Sequence, residues 1–221
     1  MKIGNYYKAI ESTSFGAFTV SFNEGCSRCS LSTPNRLPIL YRGNPEADIM
    51  LIGEAPGQQE ERDEKPFTGP AGQLLDRIMN SIGLDTNRDM ILSNVCYCRP
   101  AAPEGSGKQN YTPKQEQLNR CFPFVKKMIE LVDPKVIVAC GRTALAQLTE
   151  TPTVKISPFE GKWLSSKYNN KIPIFVMIHP AAILHMGRDI ERQKEMKAKV
   201  WNYMQYFRDT WKGKAVNKCQ Q

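Results

Sequence analysis

Asp48-Ile-Met-Leu-Ile52 leads directly into Gly53-Glu-Ala-Pro-Gly57. A short apolar run that ends in a segment rich in Gly and Pro is typical of a buried strand followed by a loop. This segment lacks the glycine spacing of a dinucleotide-binding motif or a P-loop. Taken alone it predicts a simple turn. Because Phe67 and Gly69-Pro-Ala-Gly72 follow closely, it also predicts a loop that can hold a flat ligand.

The rest of the chain alternates between predicted strands and helices. Further apolar runs predict strands at 90–95, 135–140 and 171–178. Apolar residues at helical spacing predict helices that begin near Gly69, at Thr112-Pro113 and after Gly141, and a last helix covers roughly 188 to 211. This alternation predicts a mainly parallel sheet with helices on both of its faces.

Three polar residues stand where predicted strands end. They are Glu54, Asn94 and His179. Ligand-binding residues of parallel sheets gather at the carboxyl ends of the strands, so we expect all three to face one rim. Each also has an ordinary structural reading, because Asn94 could be a turn residue and His179 a core or capping histidine. An amide such as that of Asn94 can read a base edge through one donor and one acceptor.

Composition and charge exclude several classes of protein. Of 221 residues, 41% are hydrophobic, which indicates a globular rather than a disordered chain. No apolar run approaches the roughly 18 residues that cross a bilayer, so we expect no membrane association. The N-terminus lacks the apolar segment of a secretory signal, which predicts a cytoplasmic protein. The net charge of +8 favours a polyanionic partner such as nucleic acid.

We predict one domain over residues 1–187 and a basic helical extension over 188–221 that packs on it. The last helix carries mixed charges, namely Arg188, Glu191, Arg192, Lys194, Glu195, Lys197 and Lys199. Such mixing is typical of a solvated face with ion pairs one turn apart. A basic surface that faces DNA is the alternative. The aromatic residues of the same helix predict packing on the body of the domain.

The chain has seven cysteines: Cys26, Cys29, Cys96, Cys98, Cys121, Cys140 and Cys219. An odd count in a reducing compartment argues against a disulfide framework. Cys26-x2-Cys29 could hold zinc or an iron–sulfur cluster, or act as a redox dithiol. Two more thiols are needed for a four-thiolate site, and Cys98 and Cys121 are candidates. Cys96 competes with Cys98, because residues two apart in an extended segment point to the same side. Cys121 could also be a small buried apolar residue.

Read in order, these motifs resemble the family 4 uracil-DNA glycosylases, which are the iron–sulfur type. The resemblance extends from about Gly25 to about Met186. The matching pieces are Cys26-x2-Cys29, Gly53-Glu-Ala-Pro-Gly57, Pro66-Phe67, Gly69-Pro-Ala-Gly72, Asn94-x3-Cys98-Arg-Pro100, Cys121, the strand from Pro134 to Gly141, Gly161-Lys-Trp163 and His179-Pro180-Ala181. No single piece is specific, but the ordered set is.

The resemblance implies a three-layer α/β/α sandwich with a central, mainly parallel sheet. It implies a 4Fe–4S cluster on Cys26, Cys29, Cys98 and Cys121. It also implies an enzyme that flips uracil out of single- or double-stranded DNA and hydrolyses its N-glycosidic bond, leaving an abasic site. We expect a monomer, with a replication or repair protein as a further partner.

The resemblance also assigns roles in the pocket. Phe67 would stack on the base, Asn94 would pair with its Watson–Crick edge, and His179 would donate a hydrogen bond to the base oxygen where negative charge builds. The resemblance assigns further positions beside the sugar, where Gly53, Ala55 and Gly57 would supply backbone groups and Glu54 would supply its carboxylate. Glu60 would help to place the water. Ile183 and Leu184 are candidates for the wedge that fills the gap in the DNA helix.

Some positions depart from the family pattern. Glu160 and His185 stand where the family often has Arg, which removes two expected phosphate contacts. The interval between Cys98 and Cys121 is longer than usual, and the insertion is expected near 103–110. These departures keep two alternatives open. One is a glycosylase fold that binds DNA or a replication protein with little catalysis, and the other is a glycosylase for another modified base.

Overall fold

A computed structural model describes residues 8–23, 26–32, 37–102, 110–151, 154–165, 172–187 and 189–218. The predicted insertion near 103–110 falls almost wholly outside these ranges. The strands are β1 (Tyr41–Gly43), β2 (Ile49–Gly53), β3 (Met90–Asn94), β4 (Val136–Cys140), β5 (Trp163–Ser165) and β6 (Pro173–Met177). The helices are α1 (Phe15–Asn23), α2 (Gln58–Asp63), α3 (Pro70–Ser81), α4 (Gln115–Val132), α5 (Arg142–Leu148), α6 (Pro180–Leu184) and α7 (Ile190–Lys218).

The strands form one sheet in the order β1-β3-β2-β4-β6-β5. Its four central strands are parallel, and β1 and β5 join the two edges antiparallel. The mainly parallel sheet predicted from the alternating pattern is therefore confirmed. The short edge strands were not predicted, because three residues are too few to show a period of two.

Side chains of the central strands point alternately to two hydrophobic layers. In β2, Met50 and Ile52 join the layer covered by α1, α4 and α5. Ile49 and Leu51 join the opposite layer, which α3, α6 and α7 cover. The sheet is thus buried on both faces, and the predicted three-layer α/β/α sandwich is confirmed.

Two helix boundaries differ from the sequence prediction. α4 begins at Gln115 and not at Thr112-Pro113. The backbone N–H of Lys114 donates to Oε1 of Gln117 at 2.8 Å, so this pair caps the helix in place of the threonine. α7 runs to Lys218, beyond the predicted end near residue 211.

The helix α7 packs on the sheet through one side. Its buried side chains are Val200, Tyr203, Met204 and Phe207. Burying a side chain of this size stabilises the fold by about 1.5–3 kcal/mol. Two hydrogen bonds also fix the orientation of α7 on the sheet. Nε1 of Trp163 donates to Oγ1 of Thr210 at 3.0 Å, and the backbone N–H of Ile178 donates to the Tyr203 hydroxyl at 3.2 Å. Within the described ranges, α7 and the other helices are too short or too polar to cross a membrane.

Glu160 has a partner inside the protein. Its side chain is only 6% exposed, and its carboxylate pairs with the ammonium of Lys199 on α7. The next residue, Gly161, has a φ of +73°, and a Cβ there would lie 2.6 Å from Cβ of Tyr203. The turn at 160–161 is therefore shaped to hold α7, which gives Glu160 a structural role in place of the phosphate contact expected from Arg.

Candidate active site

The carboxyl ends of the parallel strands open into a cleft of about 1120 Å³. Four residues predicted to act in the site line it together: Glu54, Phe67, Asn94 and His179. Ala55, Gly57 and Glu60 line it as well, whereas Gly53 lies buried beneath the floor. The topology thus gathers residues that are far apart in sequence at one rim of the sheet.

Asn94 is fixed by the pairing of β2 with β3. It stands opposite Gly53 in the parallel ladder, and the backbone N–H of Val95 donates to the Gly53 carbonyl at 2.9 Å. A Cβ on Gly53 would lie 2.6 Å from Oδ1 of Asn94 and 2.6 Å from the ring of Phe67, so only glycine fits. Asn94 is 2% exposed, and its side chain lines the cleft. Its donor and acceptor are therefore available to a ligand in the cleft.

Phe67 is held in an unusual backbone conformation. Its φ of +59° lies in the left-handed region, which costs a bulky residue about 1–3 kcal/mol. The start of α3 presses against it, since a Cβ on Gly72 would lie 1.8 Å from the Phe67 carbonyl oxygen. The Phe67 ring lies nearly parallel to the His179 imidazole, with centroids 6.3 Å apart and 25° between the planes. The two rings therefore border the same part of the cleft.

The protonation state of His179 follows from its contacts. His179 caps α6, and its Nδ1 accepts a hydrogen bond from the backbone N–H of Ala181 at 3.2 Å. The proton of the neutral ring must then sit on Nε2, which becomes a donor. Burial lowers the pKa of His179 to about 4; the nearby charge of Glu60 opposes this shift and His185 adds to it. At neutral pH, His179 is therefore an uncharged hydrogen-bond donor beside the cleft.

Glu54 has a partner that the sequence did not reveal. Its Oε2 accepts a hydrogen bond from the hydroxyl of Thr143, on the first turn of α5. This contact orients the half-buried carboxylate at the edge of the cleft. Thr143 lies just after the end of β4, so the rule that ligand-binding residues follow strand ends could have pointed to it.

Both carboxylate oxygens of Glu60 accept backbone hydrogen bonds. The N–H of Gly57 donates to Oε2 at 3.0 Å and the N–H of Gly69 donates to Oε1 at 2.9 Å. Glu60 therefore ties the loop after β2 to the start of α3. In this arrangement its carboxylate braces the walls of the cleft, and the water-placing role that the resemblance implied stays a prediction.

The two candidates for the DNA wedge lie in different environments. Ile183 is fully buried in the layer between the sheet and α7, so it cannot enter DNA and that prediction is corrected. Leu184 is 41% exposed and lines the cleft. The difference arises because α6 buries only one of its sides, and consecutive helical residues project about 100° apart around the axis.

The predicted cluster ligands lie in one apolar region. Cys98 and Cys121 are buried in the layer beneath α4, and Cys26 and Cys29 pack against it. Burial raises the pKa of Cys26 and of Cys29, and the nearby thiol of Cys121 adds to both shifts. A hydrogen bond with Cys96, together with burial, raises the pKa of Cys121 well above its ordinary value.

These thiols are a sulfur-only donor set that suits iron–sulfur ligation. Among the described residues, no three His, Cys, Asp or Glu side chains converge as closely as a metal ion requires. Cys26, Cys29 and Cys121 nevertheless lie within electrostatic range of one another. The donor set thus fits the group in its chemistry, and Cys96 also lies beside Cys121.

We call the group of five neighbouring cysteines the cysteine region: Cys26, Cys29, Cys96, Cys98 and Cys121. Hydrogen bonds join this region to the wall of the cleft. Nε2 of Gln117 on α4 donates to the hydroxyl of Ser30 at 3.0 Å and to that of Tyr111 at 3.2 Å. Tyr111 lines the cleft. Arg99, directly after Cys98, pairs with Glu61 at 2.8 Å. Direct hydrogen bonds therefore connect the segment next to Cys29 with the cleft wall.

Comparison with known proteins agrees with this architecture. The family model described as the uracil DNA glycosylase superfamily matches residues 40–205, a range that holds the whole sheet and most of the cleft. The chain therefore belongs to the uracil DNA glycosylase superfamily.

Individual relatives narrow this assignment. The type-4 uracil-DNA glycosylase of Saccharolobus solfataricus is 34% identical over 164 residues, which cover 72% of this chain and 73% of that protein. The type-4 protein of Thermotoga maritima is 33% identical over 162 residues, covering 72% and 78%. That of Archaeoglobus fulgidus is 32% identical over 164 residues, again covering 72% and 78%. Within the superfamily, the chain is thus a type-4 member.

Proposed function

We propose that the protein flips uracil out of DNA and hydrolyses its N-glycosidic bond, leaving an abasic site. The observation that carries this proposal is the convergence of Glu54, Asn94 and neutral His179 on one cleft. The type-4 relatives are named uracil-DNA glycosylases, which supports the same reaction for this chain.

The chemistry matches the groups in the cleft. Breaking the bond leaves a sugar with oxocarbenium character and a base that carries negative charge. Nε2–H of His179 would donate to the base oxygen where that charge develops, and a fixed donor of this kind stabilises the transition state. The Glu54 carboxylate, oriented by Thr143, would stabilise the positive sugar. Asn94 would recognise the base through its amide, which offers one donor group and one acceptor.

The remaining residues would place the substrate. Phe67 would stack on the flipped base, and Leu184 would fill the gap that the base leaves in the DNA. The backbone of Ala55 and Gly57 would border the sugar. Glu60 would act through the two loops that it braces, as a positioning residue for the water and the sugar.

We propose that Cys26, Cys29, Cys98 and Cys121 hold a 4Fe–4S cluster. Base excision by water needs no electron transfer, so the cluster would order the loop at 26–32 and, through Gln117, the wall of the cleft. Replacing Cys29→Ser should remove iron and its visible absorption, whereas Cys140→Ser should keep both. Full iron content in the Cys29→Ser protein would contradict this ligand set.

The reaction is tested with a labelled, uracil-containing single strand and its duplex, treated with alkali after incubation with anaerobically purified protein. We expect strand cleavage that Asn94→Ala abolishes while its iron content stays unchanged. If the intact protein with its cluster leaves both substrates whole, the proposed reaction is wrong.

A second candidate is a glycosylase fold that binds DNA with little catalysis. The internal pairing of Glu160 favours it, because a carboxylate that is held by Lys199 offers no cation to a DNA phosphate at this position. Tight, salt-sensitive DNA binding without base release would support that reading, and a panel of modified bases would separate it from a glycosylase of other specificity.

We also propose that the protein acts as a cytoplasmic monomer, with a replication or repair protein as a partner.

A further inference from the structure

One side of α7 carries an exposed stripe of basic and apolar residues. The stripe consists of Ile190, Lys194, Lys197, Trp201, Arg208 and Lys212. These positions follow one another at intervals of three, four or seven residues, so they share one side of the helix. Ile190 is 63% exposed and Trp201 is 46% exposed, although both side chains are large and apolar.

The stripe borders the side of α7 that packs on the sheet, because buried Met204 lies one turn from both Trp201 and Arg208. The acidic residues of the helix lie outside the stripe, at Glu191, Glu195 and Asp209. Two stripe cations reach these acids from the edge: Lys194 pairs with Glu191 at 2.9 Å, and Arg208 pairs with Asp209 at 2.7 Å. Pairs between exposed side chains contribute little, so a polyanion can compete for these cations.

Two stripe cations are available to a polyanion, although Nζ of Lys212 lies 5.8 Å from the centroid of the Trp211 ring. Neither Lys197 nor Lys212 makes an ion pair with any described residue. From Lys194 to Lys212 the stripe extends about 27 Å along the helix axis, at 1.5 Å per residue. Cations spaced over such a length, with an aromatic ring among them, match single-stranded DNA, whose phosphates are neutralised while a base stacks on the ring.

The position of the stripe relates it to the cleft. α6 ends at Leu184, which lines the cleft, and the stripe begins at Ile190 shortly after the turn between the helices. We propose that this stripe is a second DNA contact, which binds the unpaired strand flanking the flipped nucleotide through its phosphates and one base stacked on Trp201. The proposal rests on the proposed function for its substrate but concerns a surface outside the cleft.

The test compares two charge-reversal variants of equal net change. Lys197→Glu/Lys212→Glu alters the stripe, and Arg77→Glu/Arg192→Glu alters exposed cations on α3 and on another side of α7. Binding is measured with a labelled, uracil-free single strand long enough to span cleft and stripe. We expect the stripe variant to bind about tenfold more weakly, with a salt dependence reduced by about 1–2 in log–log slope. The control variant should bind as the unaltered protein does.

Trp201→Ala tests the stacking contact without a change in charge. We expect it to weaken binding of the long strand about tenfold and to leave the salt slope unchanged, because base stacking is not a counterion effect. Thermal unfolding of each variant checks that the exposed substitutions leave the fold intact. Equal binding by the stripe, Trp201→Ala and control variants would overturn the proposal.

Uracil release from a short oligonucleotide, which fills the cleft but cannot span the stripe, separates this inference from the proposed function. Unchanged release from the short substrate, with weaker binding of the long strand, supports both. If no protein releases uracil but the stripe variant still loses DNA binding, the second contact stands and the proposed reaction fails. If release proceeds and the stripe variant binds the long strand normally, the reaction stands and the second contact fails.

Discussion

The cleft and the cysteine region are built in different ways, although Cys98 follows Asn94 closely in the chain. In the cleft, the protein itself holds each group in place. The β ladder fixes the backbone of Asn94. The N–H of Ala181 orients the His179 ring, and the Thr143 hydroxyl orients the Glu54 carboxylate. The thiols of the cysteine region lie in apolar surroundings, and the pKa values of Cys26, Cys29 and Cys121 are all raised.

This difference indicates which region the chain organises by itself and which region depends on a bound group. A buried thiol with a raised pKa stays protonated, and a cluster of such thiols gains little from the chain alone. Thiolate ligation by iron would give these buried sulfur atoms strong bonds. We therefore expect the cleft to be preorganised by the chain, and the cysteine region to be organised by the group that it holds.

The largest effect should come from the cleft. Replacing His179→Ala removes the neutral Nε2–H donor, and loss of one preorganised donor typically lowers kcat by about 10²–10³-fold. Iron content should stay unchanged, because His179 lies outside the cysteine region. Single-turnover assays on uracil-containing DNA, together with iron analysis, check both statements. A His179→Ala protein that keeps full activity, or that loses its iron, would remove the distinction between the two regions.

The opposite pattern is expected in the cysteine region. Cys98→Ser should lose iron and lower the unfolding temperature, while Cys96→Ser should keep iron. The structure makes this comparison sharp, because Cys96 lies beside Cys121 and donates from Sγ to the Cys98 carbonyl at 3.4 Å. If Cys96→Ser loses iron and Cys98→Ser keeps it, then Cys96 is the ligand and the assignment taken from the family pattern is wrong.

The sequence predicted the elements whose periodicity is strong. The four buried strands were found because their runs are continuously apolar, and the cleft followed because strand ends of a parallel sheet meet at one edge. The two edge strands, each of three residues, carry no such signal. The sequence also did not predict which side of α6 is buried. The structure was needed to show that Ile183 is buried and Leu184 is exposed, because this depends on how α6 packs.

Contacts between segments that are distant in sequence could not be predicted either. Glu160 was interpreted as a lost phosphate contact, yet it pairs with Lys199 on α7. Thr143 carries no motif and acquires its role only because α5 begins beside the loop after β2. Such pairs depend on how the layers pack, whereas the motifs reflect local chain geometry.

A smaller effect is expected at Thr143. Thr143→Val removes the hydrogen bond to Glu54 but keeps the shape of the side chain, so the carboxylate loses its orientation. One hydrogen bond to a charged group is worth about 1.5–3 kcal/mol, and we expect at least about a tenfold fall in kcat with little change in KM. Thr143→Ser retains the hydroxyl and should restore most of the activity. Equal activity in the Val and Ser variants would show that Glu54 needs no such support.

The smallest effect at neutral pH concerns the protonation of His179. Its pKa is about 4 in the folded protein against 6.5 as an ordinary value, so between these limits the unfolded chain binds more protons. The contribution of His179 to the free energy of unfolding is therefore complete above pH 6.5 and is lost as the pH falls toward 4. Protonation would also break the hydrogen bond from Ala181, because Nδ1 would then carry a proton.

Activity should accordingly show no titration of His179 between pH 6 and 8, and should fall only as the pH approaches about 4. Urea unfolding across the acid range measures the stability part, and His179→Gln should reduce its slope between pH 6.5 and 4 because that side chain does not titrate. An activity profile with an apparent pKa near 6.5 that His179→Gln abolishes would mean that the ring is solvated and charged in mild acid. The cleft would then not be preorganised around a neutral donor, and its contrast with the cysteine region would be lost at the residue on which the proposed chemistry most depends.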